Sequence, residues 1–121
     1  MNGNASVAYN NTIGGSGGGG GVYVDGGTFT MNDSAKIEGN TVAGNSDSNN
    51  RYMRGGVYVG ESGTFEMNGN ASVTGNTASN GDGDGGGVHL YGGTFTVSGN
   101  VKITDNKKGS SDVNNVYRII T

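Results

Sequence analysis

Side chains whose types and spacing suit chemistry are few in this chain. The segment Asn80–Gly86 alternates amide or carboxylate oxygens with glycine, as loops that bind Ca²⁺ do. Asp82 and Asp84 would be its ligands. The segment occurs once, whereas proteins with stacked calcium sites repeat such a motif at a short fixed period. We therefore expect a loop without metal, with a calcium site at Asp82 and Asp84 as the alternative.

The remaining carboxylates are too dispersed to predict acid–base catalysis. Enzymes that hydrolyse or eliminate polysaccharides need clustered carboxylates, often with a cation nearby. The candidates occur singly, where related segments have uncharged residues: Asp25, Glu61, Glu66 and Asp105. The glycine run 17–21 also lacks the Lys-Ser/Thr of a phosphate-binding loop. The sequence predicts a protein that is not an enzyme and has no cofactor.

An aromatic strip is the best candidate for a binding surface. The single histidine, His89, stands where two related segments have Tyr23 and Tyr58, and all three are expected to point outward. Such a strip either stacks on glycans or packs on itself and protects the sheet. Arg51 and Tyr52, in a variable loop, extend this predicted surface.

Composition excludes several classes of protein. The chain has 121 residues, 31% of them hydrophobic, and its 27 glycines occur without any proline. It is one domain at most, and its regular pattern of apolar residues favours order over disorder. A net charge of −3 with scattered basic residues argues against a nucleic-acid partner. Cysteine is absent, and the sequence shows neither a membrane-spanning run nor a signal peptide.

One stretch of sequence occurs three times, as 20–32, 55–68 and 86–98. Its phenylalanines are 36 and then 30 residues apart, a period typical of stacked repeats. Residues 1–7 read like 67–73, so we expect a fragment of a longer array. The predicted units are a partial coil at 1–18, coils at 19–54, 55–84 and 85–112, and a partial or altered coil at 113–121.

Within each unit, short segments alternate apolar and polar residues as half-buried strands do. The predicted inward residues are Val22, Val24, Phe29, Met31, Ala35, Ile37, Val57, Val59, Phe65, Met67, Ala71, Val73, Val88, Leu90, Phe95, Val97, Val101 and Ile103. Strands stacked from unit to unit predict an all-β fold, a right-handed single-stranded parallel β-helix of about three full coils with partial coils at both ends. Each coil would have three short strands, with loops that vary in length at 41–54 and 77–84.

Columns of identical side chains follow from this stacking. Phe29, Phe65 and Phe95 would form one column inside the helix. Asparagines would form two more at the corners, one of Asn10, Asn40, Asn76 and Asn106, the other of Asn2, Asn32 and Asn68 with Ser98 departing. We interpret these asparagines as structural, because stacked amides satisfy backbone groups without a ligand.

Two features of these repeats are shared with a known group of proteins. One is Gly-Gly before an apolar strand, at 55–57 and 86–88, and the other is an apolar residue three positions before asparagine, as in Phe29 to Asn32 and Phe65 to Asn68. In this the chain resembles the repeats of bacterial cell-surface right-handed β-helix proteins, which include adhesin-like proteins and polymorphic outer-membrane protein repeats. The resemblance implies a secreted or surface-displayed, extracellular segment that extends, displays or adheres.

The resemblance and the repeats also suggest partners. Unpaired strands at both ends predict end-to-end stacking with another copy or with adjacent coils of the parent chain. Glycans and host or other cell-surface proteins are the other expected partners.

Two alternative functions stay open. One is a fragment of a carbohydrate-active β-helix enzyme whose active site lies elsewhere. The other is an ice-binding solenoid, because Thr28, Thr30, Thr64, Thr94 and Thr96 form an outward threonine array, which Glu66 interrupts.

Overall fold

The computed structural model describes residues 1–13, 20–43, 54–79, 86–109, 112–113 and 115–119, and these contain strands and turns but no helix. The strands in these residues are β1 (Ser6–Ala8), β2 (Asn11–Ile13), β3 (Val22–Met31), β4 (Lys36–Glu38), β5 (Thr41–Ala43), β6 (Val57–Met67), β7 (Ser72–Thr74), β8 (Thr77–Ser79), β9 (Val88–Tyr91), β10 (Thr94–Val97), β11 (Lys102–Thr104), β12 (Lys107–Lys108), β13 (Asp112–Val113) and β14 (Val116–Ile119). Within this described part, no helix is long and apolar enough to cross a membrane.

The strands form three sheets in which each strand pairs with its counterpart in the next repeat. Sheet 1 has the order β1-β4-β7-β11. Sheet 2 has the order β10-β6-β9-β14, with β3 paired to β6, and sheet 3 the order β13-β12-β8-β5-β2. The described pairs are parallel, except that β12 and β13 are antiparallel. The predicted all-β class and parallel pairing are confirmed.

The register aligns like residues from repeat to repeat. In sheet 2, Phe29 pairs with Phe65 and Phe65 with Phe95. The three rings stack, with centroids 5.7 Å and 5.0 Å apart. In sheet 1, Ile37 pairs with Val73 and Val73 with Ile103. Parallel in-register pairing places equivalent side chains one strand spacing apart, so each inward position becomes a column.

The apolar core lies along these columns. Its buried members come from β3, β4, β6, β7, β9 and the turns between them: Val24, Met31, Ala35, Ile37, Val57, Val59, Phe65, Met67, Ala71, Val73, Val88 and Leu90. All of them are residues that the alternation predicts to point inward. Val97 was predicted there too, but 57% of it is exposed. It lies on β10, which pairs with β6 alone among the described strands, so no further residue covers it.

The strands themselves differ from the prediction in sheets 2 and 3. Thr41 and Thr77 begin strands β5 and β8 of sheet 3, whereas the sequence predicts that loops begin there. Val42 and Ala78 on these strands are buried. The two segments predicted before and after Asp25 join in one long strand, β3, as their equivalents do in β6, and only the third repeat divides into β9 and β10. The register shifts between Val24 and Gly26, because β6 has one more residue there.

Close approach of neighbouring backbones explains the glycine that immediately precedes β3, β6 and β9. A Cβ on Gly21 would lie 2.8 Å from the carbonyl oxygen of Gly56 and 3.0 Å from the side-chain nitrogen of Asn40. A Cβ on Gly87 would lie 2.8 Å from the side-chain nitrogen of Asn106. Glycine at this position lets the asparagine column pack directly against the backbone.

Candidate functional site

The inner asparagine ladder, Asn10, Asn40, Asn76 and Asn106, is a continuous chain of side-chain hydrogen bonds. Each Nδ2 donates to the Oδ1 of the next asparagine, at 2.9 Å in all three links. Each backbone N–H donates to the same Oδ1, at 3.1, 2.9 and 3.0 Å along the column. The last three asparagines are completely buried.

The second hydrogen of each buried amide is also used. Asn40, Asn76 and Asn106 donate from Nδ2 to the carbonyl oxygens of Val7, Ile37 and Val73, at 3.0, 3.1 and 2.9 Å. Each of these amides therefore donates twice, and the Oδ1 atoms of Asn40, Asn76 and Asn106 each accept twice. The three buried amides therefore have no capacity left for a ligand.

Asn115 continues this ladder, although the sequence predicts only that it lies in a partial or altered coil. It precedes β14 as Gly87 precedes β9, since Val116 pairs with Val88. Its Oδ1 accepts from both the backbone N–H and the Nδ2 of Asn106, each at 3.1 Å. The signal available in the sequence was an asparagine at a position where three other repeats have glycine.

A second, outer ladder joins Asn68, Asn32 and Asn2. Asn68 Nδ2 donates to Asn32 Oδ1 at 2.9 Å, and Asn32 Nδ2 donates to Asn2 Oδ1 at 2.8 Å. These side chains are partly or fully exposed, unlike those of the inner ladder. The donors here face the first repeat, whereas those of the inner ladder face the last.

The aromatic column is stacked but is not the outward strip that the sequence predicts. The ring centroids of Tyr23 and Tyr58 are 4.8 Å apart, and those of Tyr58 and His89 are 5.6 Å apart. Tyr23 is 53% exposed, but Tyr58 is only 8% and His89 only 1% exposed. Two of the three members of the column are therefore unavailable to a glycan.

Arg54 occupies the space in front of these two rings. Its guanidinium carbon lies 4.5 Å from the centroid of the Tyr58 ring, a cation–π contact. Its Nη2 lies 3.2 Å from Nε2 of His89. Because a guanidinium only donates, Nε2 accepts and the imidazole hydrogen lies on Nδ1. Arg54 ends a variable loop, outside the repeated stretch, so the repeat pattern gives no signal for it.

Burial raises the pKa of the Tyr58 phenol above its ordinary value, and the positive charge of Arg54 opposes part of that rise. Tyr58 therefore stays protonated to higher pH in the folded chain than in the unfolded one.

The bulge in sheet 2 forms a groove of about 530 Å³. Its side chains are Asp25, Tyr58, Glu61, Ser62 and Tyr91. It brings together two of the carboxylates that looked isolated in the sequence. Within the described ranges, no group of three acidic, histidine or cysteine side chains could hold a metal ion.

A second groove, of about 500 Å³, lies on sheet 1 and the turns that precede its strands. It is lined by Asn4, Ser34, Lys36, Asn70, Ser72, Asn100 and Lys102. Sequence analysis did not select any of these residues for a site.

The threonine array is in register but uneven. Thr28, Thr64 and Thr94 align in sheet 2, and beside them Thr30, Glu66 and Thr96 align. Thr30 Oγ1 donates to Glu66 Oε2 at 3.1 Å, so one hydroxyl of the array is already engaged by a carboxylate. Four other candidates, Arg51, Tyr52, Asp82 and Asp84, lie outside the described residues.

These features define an all-β repeat protein of three parallel sheets held together by side-chain ladders. No family model matches the sequence, and no curated protein or solved structure is significantly similar to the chain.

Proposed function

We propose that this chain is a segment of a right-handed, single-stranded parallel β-helix that has a structural and adhesive role at an extracellular surface. The observation that carries the proposal is the shared order of the three sheets. Sheet 1 takes one strand from each repeat, in chain order and in parallel register. Sheet 3 does the same from β2 to β12, and β3, β6, β9 and β14 follow one another in this way in sheet 2. Winding the backbone around one axis produces this order. A right-handed winding is the usual hand of crossovers between parallel strands.

The state of the polar side chains supports a structural role. The buried asparagines hydrogen-bond to one another and to the backbone. Glycine and asparagine thus build corners rather than a catalytic site. Stacked units of this kind lengthen by repetition, which suits a stalk or a display segment.

Cell-surface exposure can be tested on intact cells of the source organism. Antibodies raised against the purified chain should label intact cells, and added protease should abolish that labelling. A cytoplasmic protein of the same cells serves as the control for lysis. Labelling that appears only after lysis would exclude the extracellular role.

A carbohydrate-active enzyme is the second candidate. The sequence places its active site elsewhere, whereas the sheet 2 groove brings Asp25 and Glu61 together in this chain. Paired carboxylates in one groove are the minimum that glycoside hydrolysis requires. A reducing-sugar assay on any glycan that binds the chain separates the two functions. Binding without release of product supports adhesion, whereas release that Asp25→Asn and Glu61→Gln abolish supports an enzyme.

The threonine array gives less support to ice binding. Glu66 interrupts the array and hydrogen-bonds to Thr30. Ice binding would be supported only if a measurement of thermal hysteresis showed that the chain arrests the growth of ice.

A further inference from the structure

We propose that the sheet 1 groove binds an acidic polysaccharide that has a carboxylate on every second sugar. This inference rests on the adhesive part of the proposed function and names its ligand class. The groove is made by two adjacent columns, which are called here the lysine column and the corner column.

The lysine column is Ser6, Lys36, Ser72 and Lys102, which the strand register places side by side in sheet 1. Lysine and serine alternate along it, so the two ammonium groups are two strand spacings apart. That distance is about 10 Å between backbones. Both lysine side chains are exposed.

The corner column is Asn4, Ser34, Asn70 and Asn100, two residues before each member of the lysine column. The three asparagines are exposed. An amide both donates and accepts, as recognition of sugar hydroxyls requires.

These polar groups differ from those of the two ladders in being unused. Within the described residues, the seven side chains that line the groove form no hydrogen bond, ion pair or ring contact. The ladder amides, in contrast, bond to one another. A ligand in the groove would therefore not have to displace an existing side-chain contact.

The charge of the groove selects an acidic ligand. Its lining includes two lysines and no carboxylate. Asp33, next to the corner column, uses its Oδ2 to accept from the backbone N–H of Gly3 at 2.9 Å. The chain as a whole has a net charge of −3, so this positive groove is a local feature. A carboxylate on the ligand can pair with each ammonium group.

The spacing of the two lysines selects a polymer in which charged and uncharged sugars alternate. One sugar of an extended chain advances by a distance comparable to one strand spacing. A sugar at each level would meet one corner residue, and sugars two levels apart would meet Lys36 and Lys102. Nucleic acid fits less well, because no aromatic side chain lines the groove to stack on bases.

The test is binding of the full chain to immobilised polysaccharides in which uronic acid and neutral sugars alternate. The matched ligand is the same polymer after its carboxylates are reduced to alcohols. Sulfated glycans and single-stranded DNA complete the panel. We expect binding to the uronate polymer that weakens with added salt, and loss of that binding on carboxylate reduction.

The matched variants are Lys36→Ser and Lys102→Ser, because serine already occupies this column at Ser6 and Ser72. Each should weaken binding roughly threefold and the pair about tenfold, the size expected of exposed ion pairs. Lys107→Ser, on sheet 3, makes the same change of charge away from the groove and should leave the affinity unchanged.

Equal binding to the reduced polymer, equal loss with Lys107→Ser, or preference for sulfated glycans or DNA would overturn the proposal. Absence of binding to the whole panel would do the same. None of these outcomes alters the labelling of intact cells, so the surface role is tested separately.

Discussion

Asn76 shows at the scale of one residue how a buried polar group can define a repeat. It is completely buried and takes part in hydrogen bonds to Asn40, Ile37 and Asn106. An apolar side chain of the same size would fill the space but leave the backbone N–H of Asn40 without an acceptor.

The substitution Asn76→Asp keeps the shape of the side chain but removes both of its donor hydrogens. It also places a carboxyl group in a buried site. We expect the free energy of unfolding to fall by about 3 kcal/mol, measured by urea denaturation. Asn70→Asp makes the same change at an exposed position and should be nearly neutral. Equal effects at the two positions would contradict the role assigned to the ladder.

Glycine at position 87 offers a second test. Gly87→Ala would place a Cβ 2.8 Å from Nδ2 of Asn106 and closer still to the carbonyl oxygen of Asn115. We expect a loss of about 2 kcal/mol in unfolding free energy, because the backbone must shift. A Cβ on Gly26 would meet nothing within 4 Å, so Gly26→Ala serves as the control. A stable Gly87→Ala protein would show that the close approach is unnecessary.

The raised pKa of Tyr58 predicts a dependence of stability on alkaline pH. Below the pKa of the unfolded tyrosine, about 10, the phenol is protonated in both states. Above it, the unfolded chain loses the proton first, so folding loses stability as the pH rises toward the folded pKa.

The measurement compares urea denaturation at neutral pH and above pH 10 for the native chain and Tyr58→Phe. The variant should lose less stability than the native chain over this interval.

The repeat pattern predicts the members of the aromatic column, but two of them, Tyr58 and His89, are buried where the prediction exposes them. Alternation correctly assigns Tyr58 and His89 to the side of the strand opposite Val57 and Val59. It carries no information on what covers that side. Arg54, which lies over Tyr58 and bonds to His89, comes from outside the repeated stretch.

At the scale of elements, the phenylalanine column links three strands of sheet 2. Phe65 is completely buried between Phe29 and Phe95 and stacks on both. Phe29 and Phe95 are only partly buried. The central ring therefore contributes more to the stability of the fold than either neighbouring ring.

Phe65→Ala should lower the free energy of unfolding by roughly 3–5 kcal/mol, since it opens a cavity and removes two stacking contacts. Phe95→Ala should cost clearly less, because β10 lies at the edge of the described sheet. Thermal denaturation of both variants checks the order. A larger effect at position 95 would contradict the central place of Phe65.

Strands β5 and β8 show where the sequence provides too little signal. Each has three residues, and each has one buried apolar side chain, Val42 or Ala78. A single apolar residue shows no alternation, whereas the equally short strands β4, β7 and β11 of sheet 1 each follow a second apolar residue, Ala35, Ala71 or Val101. The longer strands of sheet 2 gave a clear pattern, and their inward residues were identified correctly except for Val97.

At the scale of the whole molecule, stability should be greatest in the middle repeat. Strand β7 pairs with β4 on one side and β11 on the other, whereas β1 and β11 each have one partner within the described sheet. Stacked repeats are stabilised by their neighbours, so repeats with two neighbours open less often.

Native-state hydrogen exchange measures this difference directly. The hydrogen-bonded amides of β7 should exchange more slowly than those of β1 and β11. Equal protection throughout sheet 1 would indicate that the chain opens as one cooperative unit. Slower exchange in β1 would contradict the gradient altogether.

The parallel architecture could be predicted because the same sequence motifs recur in the same order in each repeat, about thirty residues apart. Phe29, Phe65 and Phe95 can align only if the backbone returns to the same place after each repeat. The antiparallel pair of β12 and β13 breaks this rule. This pair lies after Asn106, where the repeated motifs end, so the earlier repeats gave no indication of antiparallel pairing.

The opposite directions of the two asparagine ladders have an electrical consequence. Every amide carries a dipole, and a column of amides aligned head to tail builds up partial charge at its ends, as a helix does. The inner column points its N–H groups from Asn10 toward Asn115, and the outer column points them from Asn68 toward Asn2. Where the two ladders run side by side, their electric fields oppose each other. A stack of more repeats would therefore not become more polarised in proportion to its length.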